Sequence, residues 1–267
     1  MAAHRIVFAN EKGGSGKSTS AVHTAVALVA AGRRVAAVDL DTRQRTLARY
    51  LDNRATTMKR EGLDLPMPAY DTFDPAKGTA ILDRLDAMAD GVEFLIVDTP
   101  GRDDEHVRAA ISTADTLVTP INDSFVDLDL IGQVHAETFK VTRPSFYAEL
   151  VWDARKARGK RDGATVDWVV LRNRLQHLEA RNMRRVAAAL KELSKRVGFR
   201  VIPGLSERVI YRELFPRGLT LLDLAAIGQE AGLGHVAARG ELRELIAGLQ
   251  LPIAAGAAEE RRLAEPA

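Results

Sequence analysis

Residues 10–19 read Asn-Glu-Lys-Gly-Gly-Ser-Gly-Lys-Ser-Thr. They follow an apolar run at 5–9 (RIVFA) and open a helix-like stretch near 17–31. The pattern K-G-G-x-G-K-S is a form of the phosphate-binding loop G-x-x-x-x-G-K-[ST], with Glu11 at the first glycine position. Gly13, Gly14 and Gly16 let the backbone wrap closely round an anion with its N–H groups pointing inward. The helix beginning near Lys17 adds the positive end of its dipole. In this loop (Gly13, Gly14, Ser15, Gly16, Lys17, Ser18, Thr19), Lys17 would reach the β- and γ-phosphates of ATP and the Ser18 hydroxyl would ligate Mg²⁺. A strand before and a helix after distinguish such a loop from an ordinary glycine-rich turn.

The same alternation continues outward. Apolar runs at 34–38, 93–97, 115–119 and 167–171 read as strands. Helix-like stretches lie near 43–61, 76–89, 104–113, 129–142 and 181–196. Apolar strands separated by helices predict an α/β P-loop NTPase with a predominantly parallel sheet covered on both faces. No linker or internal repeat interrupts it, so residues 1–252 read as one domain. The Ala/Glu/Arg-rich residues 253–267 have little to bury and read as a disordered tail.

Three carboxylates complete the phosphate site. Asp98 closes the FLIVD strand ahead of Thr-Pro-Gly, where doubly wound sheets bind ligands, and can hold Mg²⁺ through water. Asp39 and Asp41 follow the second strand two residues apart, so in an extended segment their carboxylates face one side. Such a pair suits one group near the metal and one that positions the attacking water. Helix capping by Asp41 or Thr42 is the competing reading.

Composition removes several classes. The chain has no cysteine, which excludes thiolate zinc sites and Cys-held iron–sulfur clusters. No signal-peptide pattern opens the chain and no apolar run approaches the roughly 18 residues of a membrane span, so a cytoplasmic protein is expected. The six histidines show no metal-ligand spacing. Net charge is only +2, yet residues 181–217 hold ten Lys or Arg against three Glu. On a helical wheel Arg181, Arg184, Arg185, Lys191, Lys195 and Arg196 fall on one side and Leu190, Leu193 and Val197 on the other. That basic face, with Arg200 following, suits phosphate-backbone contacts to double-stranded DNA without base reading. Residues 153–163, also basic, read as a surface loop.

The loop, the D-x-D after the second strand and the D-T-P-G strand end resemble the ParA/MinD superfamily of deviant Walker A ATPases. Residues 39–45, 118–132, 167–175 and 196–224 are similar to the MipZ branch, which positions the bacterial division plane. The resemblance implies an ATP-gated homodimer with nucleotide between the subunits. It implies that Lys12 crosses to the partner's nucleotide, that Asp41 orients the attacking water and that Asn173 contacts adenine. It further implies a nucleoid-associated protein that binds DNA non-specifically, docks on a ParB-like protein, inhibits FtsZ assembly and resets by slow hydrolysis. A ParA-type partition ATPase shares the site and the DNA binding and is the alternative. A MinD-like membrane cycle is not expected, because the tail offers only Ile253 and Leu263 as large apolar residues. Arg102-Asp103-Asp104 departs from the small or polar residues usual after D-T-P-G.

Overall fold

The computed structural model describes residues 2–122, 125–134, 141–173, 180–228 and 232–253, with the side chains of 125, 126, 134, 141, 142, 180–185 and 233 outside the described ones. The chain runs from β1 (His4–Phe8) and α1 (Lys17–Ala30) to β2 (Val35–Asp39) and α2 (Thr46–Glu61). It continues through β3 (Ala69–Thr72), α3 (Ile81–Ala89), β4 (Phe94–Asp98), α4 (Glu105–Thr113) and β5 (Thr116–Asn122). Next come α5 (Phe125–Leu128), β6 (Gly132–Val134), β7 (Val141–Pro144), α6 (Phe146–Asp162) and β8 (Asp167–Asn173). Last are α7 (Ala180–Val197), β9 (Arg200–Pro203), α8 (Val209–Leu214) and α9 (Leu233–Gly248).

Seven strands form one parallel sheet in the order β3-β2-β4-β1-β5-β8-β9. Alternation along each strand feeds two cores. Val7, Val38, Val97, Leu117 and Trp168 join one cluster with residues of α3, α4, α6 and α7. Ile6, Phe8, Ala37, Ile96 and Val169 join another with residues of α1, α2 and α9. Burial on both faces is why these strands read as near-continuous apolar runs. Strand order reverses at β1, between β4 and β5, so the loop after β1 lies at the switch point where such sheets bind ligands.

Two expectations are corrected. The stretch 129–142 is not one helix: it holds β6 and the start of β7, which pair antiparallel. Gly132 lies so close to α7 that an added Cβ would stand 2.5 Å from a Leu193 methyl, which keeps a side chain out of that position. Residues 153–163 are the second half of α6, not a surface loop. Tyr147, Ala148, Val151, Ala154 and Arg158 bury one stripe, Ser145 caps the start and Gly163 ends the helix in the left-handed region. Arg158 hides in this basic run because it turns inward onto Asp115 and the Ala114 carbonyl. The structure adds β3, β9 and α9 to the expected elements; both strands are four residues long and lie at the sheet edges. The expected tail, apart from Ile253, lies outside the described residues.

Candidate nucleotide site

The loop between β1 and α1 is shaped from below. Asn10 is buried, donates to the Pro120 carbonyl and accepts from the Lys12 amide at 2.7 Å. Gly14 and Gly16 have φ of 75° and 88°. At Gly16 a side chain is excluded twice over, since a Cβ would stand 2.6 Å from the Asn173 amide nitrogen. Gly16 heads α1 with no side-chain cap, so the first-turn amides keep the anion-binding end of the helix open. Gly13 and Gly14 are exposed, whereas Ser15 is buried.

Lys17 is buried, and its ammonium donates to the Lys12 carbonyl at 2.9 Å. Burial lowers its pKa, and the nearby Asp98 and Asp41 carboxylates offset part of that shift. Register places Asp39 on β2 beside Asp98 on β4, both fully buried. Burial first, and Asp39 second, push Asp98 up to about 8, against the pull of the Ser18 hydroxyl bond and Lys17. Asp39 is raised for the same first reason. Its two oxygens already accept from the Asp41 and Ala48 amides, at 2.8 and 3.0 Å. Asp98 differs: Oδ1 is buried with no hydrogen-bond partner among the described residues. An orphaned carboxylate oxygen beside a serine hydroxyl fits Mg²⁺, which keeps waters and takes only one or two carboxylates plus phosphates. Ser18 and Asp98 would hold the ion, with Asp39 acting chiefly through its charge.

Asp41 does cap local structure, though not as the residue preceding the helix. Its Oδ1 accepts from the Arg43 and Gln44 amides, and Arg45, at φ 48°, leads into α2. Lys12 points to its own chain, with Nζ 3.0 Å from Asp127 Oδ1. The departure after D-T-P-G has a local account. Asp104 caps α4 through the Val107 amide, Asp103 pairs with Arg108 and Arg102 with Asp104. Glu11, at the missing glycine, has a pKa raised by burial and then by Asp103.

Beside the loop lies a cleft of about 330 Å³ lined by Gly16, Thr19, Ser20, Asn173, Leu205–Arg208, Tyr211 and Phe215. Asn173 ties its inner wall together. Its amide donates to the Ser15 carbonyl and the Ser20 hydroxyl, and its carbonyl accepts from Leu205 N. The wall residues 205–215 were missed in the sequence. Their signal was the resemblance over residues 196–224, which gave this segment no nucleotide role.

On α7, Leu190, Leu193 and Val197 are buried while Lys191, Lys195 and Arg196 are exposed. Arg196 pairs with Glu192 at 2.9 Å. The side chains of Arg181, Arg184 and Arg185 lie outside the described residues. Arg200 departs from the expected face. It grips Asp167 with two nitrogens and donates to the Gly248 and Leu249 carbonyls, so it closes the end of α9. Arg208, Arg212 and Arg217 likewise pair with Glu241, Glu207 and Glu61.

A family model described as ATPase MipZ matches residues 4–253. A relative from Methanocaldococcus jannaschii, described as an uncharacterized ATP-binding protein, is 32% identical over 138 residues, 44% of this chain and 52% of that one. The chain thus spans about half the length of the curated relative it matches. Among solved structures, an ATP complex of a Cyanothece McdA variant is similar at TM-score 0.62 and 15% identity, covering 95% of this chain and 98% of that chain. A ParA family ATPase from Chlorobium tepidum gives 0.56 at 15% identity, with 94% and 98% covered. The MinC:MinD complex of Aquifex aeolicus gives 0.55 at 15% identity, with 95% and 99% covered. At these identities the structures speak for the fold. No helix of the described residues is long and apolar enough to cross a membrane.

Proposed function

The chain belongs to the MipZ family of ATPases, and from that premise we propose that it is a Mg²⁺-dependent ATPase whose ATP-bound homodimer regulates placement of the division site. The observation that carries the reading is the meeting of Lys17, Ser18 and the orphaned oxygen of Asp98 beneath an uncapped helix N-terminus. Bound Mg²⁺ would neutralise charge that develops on the phosphate oxygens. Lys17 exchanges the Lys12 carbonyl for the β- and γ-phosphates. Asp41 holds the attacking water in line, and Asn173 with the 205–208 loop walls the adenine. Lys12 leaves Asp127 to reach the partner's nucleotide.

In this reading the dimer joins two α7 faces carrying Arg181, Arg184, Arg185, Lys195 and Arg196 into one basic patch. Contacts to phosphates alone make DNA binding independent of sequence and steep in salt, each contact adding about 0.9 to the slope of log affinity against log salt. Arg200 is left out of this patch because its hydrogen bonds are committed to the fold. A ParB-like protein and FtsZ are the proposed protein partners. The test measures binding to two unrelated duplexes at several salt concentrations, with ATP or ADP, for the natural protein and Arg185→Glu. Equal affinity for both duplexes, a requirement for ATP and a shallower slope in the variant support the reading; undiminished binding by Arg185→Glu sinks the DNA face. Sedimentation of FtsZ polymers separates the division role from plasmid-type partition, since only the former requires ATP-dependent loss of polymer.

A further inference from the structure

The outer wall of the cleft is a loop held from behind. After β9, the Gly204 amide donates to the Arg172 carbonyl at 2.9 Å and the Leu205 amide to Asn173 Oδ1 at 2.9 Å. Beyond them the loop is also anchored on Glu241 of α9. Its Oε2 accepts from the Ser206 amide at 3.0 Å and its Oε1 from the Ser206 hydroxyl at 2.8 Å. The Arg208 guanidinium spans both oxygens. Ser206 is buried, and Glu241 and Arg208 are largely shielded. Burial raises the Glu241 pKa, but the bonds from Arg208 and Ser206 outweigh it and hold the carboxyl below its ordinary value. Glu241 is not itself among the residues lining the cleft. It acts on the cleft through its hydrogen bonds with Ser206 and Arg208, which do line it.

We propose that Glu241 is a positioning residue for base recognition: it fixes the 205–208 loop in the shape that discriminates adenine from other bases. The inference rests on the reading of this cleft as the base site. Backbone groups can tell one base edge from another only where donors and acceptors are held to within about 0.5 Å, and charge-assisted bonds to a carboxylate supply that rigidity. The triphosphate is held elsewhere, by the loop before α1, so loss of Glu241 should separate the two halves of the ligand. A carboxylate that merely fastened α9 to the body would weaken both halves alike.

The test uses the full chain with Mg²⁺ and measures Kd for ATP, GTP and inorganic tripolyphosphate in the natural protein, Glu241→Ala and Glu241→Gln. Glu241→Ala is expected to bind ATP about tenfold more weakly and to lose most of its preference for ATP over GTP. Tripolyphosphate affinity should stay within about twofold. Glu241→Gln keeps one acceptor for Ser206 and should fall between; if the alanine variant does not fold, the glutamine variant decides by the same ratios. An unchanged ATP-to-GTP ratio, or an equal loss for tripolyphosphate, overturns the proposal. If the natural protein binds ATP no better than tripolyphosphate, the base-site reading itself fails and this inference falls with it.

Discussion

Lys12 Nζ lies 3.0 Å from Asp127 Oδ1 in the same chain, and the other Asp127 oxygen accepts the Asn122 amide. A lysine proposed to serve the partner's nucleotide is thus paired at home, while Lys17 is buried against the loop. The two lysines should therefore part company. Lys17→Ala is expected to abolish nucleotide binding, because it removes the charge on the β- and γ-phosphates. Lys12→Ala should keep the monomer's affinity within about twofold yet lower dimerisation and hydrolysis by at least about tenfold. Fluorescent-nucleotide titration below the dimer concentration, beside turnover above it, reads both. Equal loss of monomer affinity would place Lys12 in its own subunit's site.

Asp41 carries two roles that substitution can separate. Asp41→Ala should bind ATP but hydrolyse it at least about 10²-fold more slowly, as water positioning is lost. It should also lose on the order of 1 kcal/mol of stability with the bonds to the Arg43 and Gln44 amides. Asp41→Asn retains an acceptor for those amides and should regain stability without regaining turnover. Thermal melts and phosphate release decide it. Normal hydrolysis in either variant excludes Asp41 as the water-orienting group.

Much of the site was legible because phosphate binding demands glycine at fixed spacing next to Lys-Ser. Gly13, Gly14, Gly16, Lys17 and Ser18 could be named from order alone. What order could not show is proximity across the fold. Asp39 and Asp98 meet only through the β2–β4 register, Lys12 meets Asp127 across 115 residues and Glu241 meets Ser206 across 35. Arg158 and Arg200 misled for the opposite reason: charge in a sequence implies solvent, and here each is spent on an aspartate and backbone carbonyls. Edge strands β3 and β9 are too short to impose a pattern.

Gly16 offers a direct check of the loop geometry. Gly16→Ala must accept φ of 88° and a Cβ 2.6 Å from the Asn173 amide. It should lower stability by at least about 1 kcal/mol and weaken nucleotide binding, because Asn173 has to move. Gly14→Ala, with open space round its Cβ, should cost less. Equal melting temperatures for the two variants would contradict the packing of Asn173 on the loop.

His23 makes stability depend on pH. Burial lowers its pKa to about 4, with its Nδ1 against the Thr19 carbonyl and its ring against Tyr50 and Tyr211. Between about 4 and 6.5 the unfolded chain holds a proton on this histidine that the folded chain lacks. Its contribution is therefore complete above pH 6.5 and shrinks as pH falls, at up to about 1.4 kcal/mol per pH unit. Denaturant unfolding from pH 7 to 4.5 should show a flatter profile for His23→Gln than for the natural protein. Parallel profiles would mean that His23 titrates alike in both states.

ATP, and not ADP, is expected to join two of these chains. Light scattering on the purified protein with Mg²⁺ reads it most directly, in ADP, in ATP and in a slowly hydrolysed ATP analogue. The expected mass is 29.1 kDa with ADP and twice that with the analogue. Asp41→Ala should hold the doubled mass in ATP itself. One mass in all three nucleotides, whether single or double, would contradict this expectation.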